Sequence, residues 1–195
     1  VCPTPEDLET FSDLIGDRCS CERLLMSRQD VLRSKNFYYA CVSFVDYQVG
    51  RIIAALKEKG MYDDTLILFS SDHGDMMGDY NAIGKRTMVD SSCHVPLMIH
   101  VPGHGHERRQ DPCSLVDIAP TLLRYVGAPY DPREFDGVDL FAPSERIYVY
   151  SQHGCGSGGT YMITDGRDKL VYSAARDKYY FFDQIPEMRS IYDAE

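Results

Sequence analysis

The sequence predicts an α/β protein, part of a mixed or parallel sheet with flanking helices, followed by a small antiparallel β subdomain. Three observations lead to this prediction. Apolar residues recur three and four positions apart over residues 36–59, which is typical of a helix. Residues 66–69 form a short apolar run with the length and composition of a buried strand. After residue 146 the chain changes to short β-like segments separated by turns.

The composition sets the size and excludes some partners. The chain has 195 residues, enough for one good core with a small appendage, and we predict domains at residues 1–143 and 144–195. The formal net charge is -10 with no basic run, which argues against a nucleic-acid surface and an anionic membrane surface. Apolar stretches stay well short of the roughly 20 residues that span a membrane. The composition leaves the cellular compartment open.

The first half of the chain contains one strong helix. Residues 1–36 are polar, with a possible helix start at Thr4 and no function that we assign. From Asn36 to Lys59 an apolar stripe predicts a helix that Gly60 ends. The stripe consists of Tyr38, Cys41, Val45, Val49, Ile52 and Leu56. On this helix Asp46 is interpreted as a solvated or capping carboxylate.

Chemically distinctive residues follow the predicted strand at 66–69. Asp72 and His73 lie just after its carboxyl end, where open α/β sheets place their ligand sites. Gly74 follows them and permits the turn that two neighbouring residues need to reach one metal. Lys85 follows thirteen positions after Asp72. A carboxylate, an imidazole and an ammonium together suit a metal that holds an anionic oxyester. The residues alone equally allow a capping Asp72, an incidental His73 and a surface lysine.

Further elements follow in order. A second strand is predicted at Val95–Val101, then a histidine-rich loop at 102–109 in which solvated side chains are expected. Residues 114–127 predict a helix with Asp117 as its cap and Gly127 at its end. Residues 128–146 are rich in Pro, Asp and Gly and predict a connector.

The last part predicts a small antiparallel sheet. Its strands are expected at residues 147–150, 160–164, 169–172 and 178–182, with a possible helix at 186–193. Between the first two strands, residues 152–159 contain four glycines together with His153. Glycines allow a backbone to approach a ligand closely. A flexible linker is the alternative interpretation of this loop.

These motifs, in this order and spacing, resemble the sulfatase family of the alkaline-phosphatase-like superfamily. The matching residues are Ser71-Asp72-His73-Gly74, Gly84-Lys85, Val95-Pro96-Leu97 and Pro102-Gly103. The helix pattern that begins at Tyr38 and the Asp-Ile-Ala-Pro-Thr-Leu-Leu segment at 117–123 are also similar to sulfatases. The resemblance runs from about Phe37 to the end of the chain and covers only the carboxyl-terminal half of such an enzyme.

The resemblance implies a fold, a site and a substrate class. It implies an alkaline-phosphatase-like sheet, with Asp72 and His73 as ligands of a divalent metal ion, calcium or magnesium. Lys85 is implied as the catalytic contact to a sulfate oxygen, and His153 as a residue that borders the substrate pocket. The substrate would be a sulfated small molecule or carbohydrate. Two departures from the family pattern weaken the match near Lys85, at Val89-Asp90 and at His94.

Other parts of the family pattern are missing from this sequence. Sulfatases convert a cysteine or serine in Cys/Ser-x-Pro-x-Arg to a formylglycine nucleophile. Cys19 to Arg23 has a cysteine at the proline position and comes too late in the family order. An early Asp-Asp metal pair is also absent, since Asp63-Asp64 falls in a predicted turn. We therefore expect a parent sulfuric ester hydrolase, of which this chain alone is inactive or nearly so.

Two alternatives and one physical expectation remain. A phosphodiesterase or phosphonate monoester hydrolase of the same superfamily would share the Asp-His-Gly motif but bind zinc or manganese. A non-catalytic scaffold or binding domain would keep the fold without the chemistry. Part of a doubly wound sheet should expose an apolar edge and face, so we expect the isolated chain to self-associate.

Overall fold

The structure is a computed structural model that describes residues 25–182. The predicted helix start at Thr4, the Cys19 motif and the predicted helix at 186–193 lie outside these residues. The described chain divides into two compact units, and the boundary lies between Glu107 and Arg108. The predicted domain boundary at 143/144 stays a prediction. Within residues 25–182, we find no helix with the length and apolar character needed to cross a membrane.

The long helix of the first unit, α1, spans Arg28–Glu58. Ser27 and Asp30 form a capping box, because the Asp30 N–H donates to Ser27 Oγ at 3.2 Å and the Ser27 N–H donates to Asp30 Oδ2 at 3.0 Å. The predicted start at Asn36 was therefore wrong by eight residues. The predicted end is confirmed by Gly60, whose φ of +64° stops the helix.

The apolar stripe of α1 is largely exposed in this chain. Ile52 is 60% exposed, Val45 47% and Tyr38 37%. The apolar stripe of an amphipathic helix is normally covered by another layer of structure. Self-association of the isolated chain through such surfaces stays a prediction.

The strand before Asp72, β1, spans Ile67–Ser70, and its partner β4 spans Leu97–His100. They pair antiparallel, with Ile67 opposite His100 and Ser70 opposite Leu97. Antiparallel pairs of this kind occur in mixed sheets. The second strand is shorter than predicted. At its end the His100 ring stacks on Tyr62, with centroids 4.4 Å apart.

A small hairpin and a short helix lie between these two strands. Strand β2 (Met76–Met77) pairs antiparallel with β3 (Ile83–Gly84), and helix α2 spans Asp90–Cys93. The core of this region consists of buried residues from the hairpin and from the segment that leads into α2. They are Met76, Ala82, Thr87, Met88, Val89 and Ser92. The hairpin is thereby fixed to the end of β1.

The second unit begins with a turn and a helix. A 3₁₀ turn at Leu115–Asp117 leads into α3, which spans Ile118–Tyr125, and Gly127 follows with a φ of +68°. The predicted end is confirmed. Asp117 occupies the predicted N-cap position of α3, but its side chain makes no capping bond there; its carboxylate instead accepts the Ser114 N–H at 2.7 Å.

Asp117 is the centre of a buried ion pair. It is fully buried, and the Arg146 guanidinium donates to both of its oxygens, at 2.7 and 2.5 Å. The Val138 N–H donates to it at 2.9 Å. Burial alone would raise the pKa of Asp117, but the hydrogen bonds from Arg146, Val138 and Ser114 outweigh it and lower this pKa. The pair therefore stabilises the fold above the unfolded pKa near 4, and this stability is lost as pH falls through the lower folded pKa.

The carboxyl-terminal sheet is antiparallel with four strands in the order β5, β6, β7 and β8. These strands span Val149–His153, Thr160–Thr164, Lys169–Ser173 and Lys178–Phe182. The predicted small antiparallel sheet is confirmed. Its first strand starts two residues later than predicted and continues to His153.

Replacing Arg146 should weaken the second unit. Arg146→Ala leaves the Asp117 carboxylate buried without its cation, and we expect a loss of about 3 kcal/mol in the free energy of unfolding. Denaturant unfolding followed by circular dichroism measures this change. Arg133→Ala is the matched control, because Arg133 pairs with Asp131 at the exposed surface and should matter little. Equal effects of both variants would contradict a structural role of the buried pair.

Candidate metal and anion site

Asp72 and His73 lie in a loop directly after β1. Because the strand ends at Ser70, the alternation of side chains between sheet faces no longer separates these two neighbours. The His73 N–H donates to Asp72 Oδ1 at 2.9 Å, and Ser71 Oγ donates to the His73 carbonyl at 2.8 Å. As a result Asp72 Oδ2 and His73 Nε2 lie 3.1 Å apart. The prediction that both follow the carboxyl end of a strand is confirmed.

The hairpin brings Lys85 to the same place. Its Nζ atom lies 2.5 Å from His73 Nε2. An ammonium has only N–H donors, and an imidazole nitrogen accepts one of them only when that nitrogen carries no proton. His73 Nδ1 lies 2.9 Å from the Gly74 carbonyl, which only accepts, and therefore carries the proton. Nε2 therefore lies between a donor and an acceptor, 2.5 Å from the Lys85 ammonium and 3.1 Å from the Asp72 carboxylate.

The backbone on both sides of Lys85 is left-handed. Gly84 has a φ of +88° and Arg86 a φ of +80°. For arginine this conformation is strained, and such strain concentrates where the fold fixes a functional residue. The two turns set the position from which the Lys85 side chain reaches His73.

Gly74 holds the loop against α2. Its N–H donates to the Ser92 carbonyl at 2.8 Å, and a Cβ at position 74 would lie 2.1 Å from the Ser91 carbonyl oxygen. The sequence suggested that this glycine permits a turn, yet it is not among the residues with a left-handed φ. The glycine is required here by the close approach of two backbone segments.

The Asp72 and His73 donors fit part of a metal site. Two donors that bind one metal at about 2.0–2.5 Å, with a right angle between the two bonds, lie about 2.8–3.5 Å apart. The observed distance of 3.1 Å between Asp72 Oδ2 and His73 Nε2 lies in this range. Among residues 25–182, however, no group of three or more His, Cys, Asp or Glu side chains could hold a metal ion. The described residues thus offer two donors, whereas calcium or magnesium takes six or more ligands.

His153 belongs to the second unit and ends β5, where it is exposed. The glycine loop after it is folded back on Tyr161, whose hydroxyl donates to the Gly156 carbonyl at 3.4 Å. A Cβ at Gly159 would lie 2.6 Å from the Tyr161 hydroxyl oxygen. The loop is therefore shaped by packing, and substrate contact by His153 stays a prediction.

Comparison with known proteins gives a family match over most of the chain. The Sulfatase family profile matches residues 3–128. A choline-sulfatase from Rhizobium meliloti is 39% identical over 177 residues, which are 87% of this chain and 35% of that protein. An arylsulfatase from Clostridium perfringens is 31% identical over 179 residues, 86% of this chain and 37% of that protein. The chain thus spans about a third of the length of the curated relatives it matches.

Solved structures give the fold. A phosphonate monoester hydrolase from Agrobacterium radiobacter superposes with a TM-score of 0.72 at 30% identity, over 80% of this chain and 36% of that one. The structural neighbours include sulfatases with the alkaline-phosphatase-like fold, so the predicted fold class is confirmed.

Gly74→Ala should disturb the site loop, whereas Gly50→Ala should not. The first substitution places a Cβ against the Ser91 carbonyl, and we expect a loss of about 1–3 kcal/mol in the free energy of unfolding. The second lies inside α1 with nothing within 4 Å and should add about 0.5–1 kcal/mol through helix propensity. Thermal unfolding of both variants measures the difference. A Gly74→Ala protein as stable as the parent would show that the backbone contact is loose.

Proposed function

The chain belongs to the sulfatase family, and we propose that it forms the carboxyl-terminal part of a metal-dependent sulfatase. Such an enzyme hydrolyses a sulfate ester to an alcohol and inorganic sulfate. The observation that carries the proposal is the convergence of Asp72, His73 and Lys85 at the end of β1. Because the chain spans about a third of its relatives, the activity is proposed for a longer protein that contains these residues.

Each residue has a proposed role. Asp72 Oδ2 and His73 Nε2 hold the cation, which would polarise the sulfate oxygens as a Lewis acid. The Lys85 ammonium binds a sulfate oxygen and neutralises charge that builds up as the S–O bond of the ester breaks. His153 contacts the substrate from the glycine-rich loop. The nucleophile and the remaining metal ligands would come from outside these 195 residues, so the chain alone would be inactive or nearly so.

Sulfatases use a divalent metal ion, and we propose calcium or magnesium for this protein. The Asp72 carboxylate suits a hard cation, and further oxygen ligands would complete its shell. Zinc or manganese accepts imidazole more readily and would fit a phosphoesterase better.

The proposed substrate is a sulfated small molecule or carbohydrate. The names of the two relatives, arylsulfatase and choline-sulfatase, support a sulfate ester on a small organic group. In the described residues, the anion contact rests on a single lysine next to the cation ligands. That arrangement recognises the sulfate group and leaves the alcohol part to be selected elsewhere.

A second candidate function is phosphonate monoester or phosphodiester hydrolysis. The observation that favours it is the 30% identity and 0.72 TM-score to a phosphonate monoester hydrolase. The same cation, carboxylate and imidazole arrangement would serve a phosphorus centre. The choice between the two rests on the esters that the longer enzyme turns over.

Removal of either proposed ligand should release the metal. In the longer enzyme, Asp72→Ala and His73→Ala should each lower the bound divalent metal well below that of the parent. Bound metal should stabilise the folded parent by about 2.7 kcal/mol when the free metal concentration is a hundred times Kd. The two variants should lose this stabilisation together with the metal. Elemental analysis after dialysis and thermal unfolding with and without metal measure both effects.

Asp46→Ala is the control for these variants. Asp46 is an exposed carboxylate on α1, and its loss should leave the metal content unchanged. If Asp72→Ala likewise changed neither the metal content nor the melting temperature, the non-catalytic scaffold would replace the sulfatase proposal.

A panel of esters separates the two candidate enzymes. We expect the longer enzyme to hydrolyse 4-nitrophenyl sulfate faster than phenyl phosphonate esters, and Lys85→Ala to lower kcat for sulfate about 10²–10³-fold. Steady-state kinetics with both substrates, together with metal analysis, measure this preference. Bound zinc or manganese with faster turnover of the phosphorus esters would assign the second function.

A further inference from the structure

Two consecutive serines at the end of β1 each donate a hydrogen bond to a backbone carbonyl. Ser70 Oγ donates at 2.8 Å to the carbonyl of Pro96, which lies 26 positions away and just before β4. Ser71 Oγ donates to the His73 carbonyl, also at 2.8 Å. The first bond joins two strands, whereas the second is local and ends on a residue proposed to hold the metal. The two hydroxyls therefore have different roles to be tested.

The Ser71 bond holds one polar group of the peptide between His73 and Gly74. The Gly74 N–H is the other polar group of this peptide, and it donates to the Ser92 carbonyl at 2.8 Å. A peptide group is planar, so bonds to both its C=O and its N–H fix the orientation of the whole plane. This plane is the backbone on the carboxyl side of His73, from which the imidazole projects.

The imidazole ring of His73 depends on the same backbone segment. Its Nδ1 atom lies 2.9 Å from the Gly74 carbonyl. A metal-binding histidine is typically oriented in this way, by a carbonyl or carboxylate at the ring nitrogen that does not bind the metal. On the amino side, the His73 N–H donates to Asp72 Oδ1 at 2.9 Å. The bond from Ser71 is thus one of a short series of contacts that bring Asp72 Oδ2 and His73 Nε2 to 3.1 Å from each other.

We propose that Ser71 is a positioning residue of the metal site, and that its hydroxyl holds the His73 backbone so that Nε2 and the Asp72 carboxylate face one cation. Ser71 acts through His73, because its hydroxyl proton is donated to the His73 carbonyl. The inference rests on the proposed function, which assigns the cation to these two donors, and it holds for either candidate ester.

Metal affinity and stability separate at this position. The Ser71 bond spans two positions of the chain and joins no distant elements. The His73 side chain is 36% exposed, so water reaches the loop and can replace the hydroxyl as a donor to the carbonyl. Loss of the hydroxyl therefore costs the folded state little, whereas it frees the peptide plane to turn and moves Nε2 away from Asp72.

Metal titration of the longer enzyme tests the proposal. Parent and variants are stripped of metal, and the Kd values for Ca²⁺, Mg²⁺, Mn²⁺ and Zn²⁺ are measured by isothermal titration calorimetry. For the cation that the parent binds most tightly, we expect Ser71→Ala to raise the Kd by about 10–100-fold. Ser71→Thr keeps a hydroxyl at the same position and should restore a Kd close to that of the parent.

Ser70→Ala is the matched control. It removes the neighbouring hydroxyl, which makes a bond of the same 2.8 Å length to a carbonyl, but that carbonyl belongs to Pro96 and not to a proposed ligand. Its Kd should stay close to that of the parent. In thermal unfolding without metal, both alanine variants should melt within a few degrees of the parent, because each loses one hydrogen bond.

The titrations contradict the proposal in three cases. A Kd of Ser71→Ala below about ten times that of the parent would show that the hydroxyl does not position the ligands. An equal rise for Ser70→Ala, or no recovery in Ser71→Thr, would assign the effect to a loosened strand end. A metal-free Ser71→Ala protein that melts far below the parent would give Ser71 a role in folding instead.

The His73 ring provides a readout that needs no metal. In the metal-free longer enzyme labelled with nitrogen-15 at histidine, NMR reports the chemical shifts of Nδ1 and Nε2. Ser71→Ala should change these shifts for His73, whereas Ser71→Thr and Ser70→Ala should leave them as in the parent. Unchanged shifts in Ser71→Ala would contradict the positioning of the ring.

The same experiments separate this inference from the proposed function. A parent enzyme that binds none of the four cations would overturn the proposed function and, with it, the metal role of Ser71. A parent that binds a cation with equal affinity in all the serine variants would overturn only the role of Ser71.

Discussion

The candidate site depends on the close approach of two backbone segments at Gly74. Through this contact the loop after β1 is hydrogen-bonded to α2, and α2 is in turn followed by the strand that pairs with β1. The hairpin that carries Lys85 lies between the two segments in sequence and is fixed by buried Met76. The hydrogen bond from Gly74 to Ser92 therefore joins the loop after β1 to α2. It forms only because Gly74 has no Cβ, and the joined elements surround the site. The distances among its side chains follow from that connection.

The sequence was sufficient to predict that Asp72 and His73 follow the end of a strand. A short apolar run followed by Asp72 and His73 is a local pattern, and local patterns fix where a strand ends. The approach of Lys85 was predicted from the family resemblance, because the twelve residues between Asp72 and Lys85 allow many loop shapes. The reason for Gly74 was misread, since a sequence shows that a glycine is present but not which backbone lies against it.

The elements that the sequence missed depend on distant partners. Arg146 lay in a stretch predicted only as a connector, yet it joins Asp117 from 29 positions away. Nothing in the local pattern of either residue indicates the other. The apolar stripe of α1 was predicted correctly as one side of a helix, but the sequence does not show how much of it this chain covers. Whether an apolar side chain is buried depends on the complete fold, whereas the spacing of apolar residues can be recognised within one segment.

His73 Nε2 links the two halves of the proposed site. This nitrogen lies 2.5 Å from Lys85 Nζ and 3.1 Å from Asp72 Oδ2. Under the proposed function Nε2 would hold a divalent cation, so the ammonium would have to leave Nε2, and repulsion between the two positive charges would move it further away. The lysine side chain has four carbons of flexible stem, so this movement needs no change in the backbone. The ammonium then lies beside the cation ligands, where an anionic sulfate can accept its hydrogen bonds. One imidazole nitrogen would thus couple occupation of the proposed metal site to the position of the residue that is proposed to bind the anion.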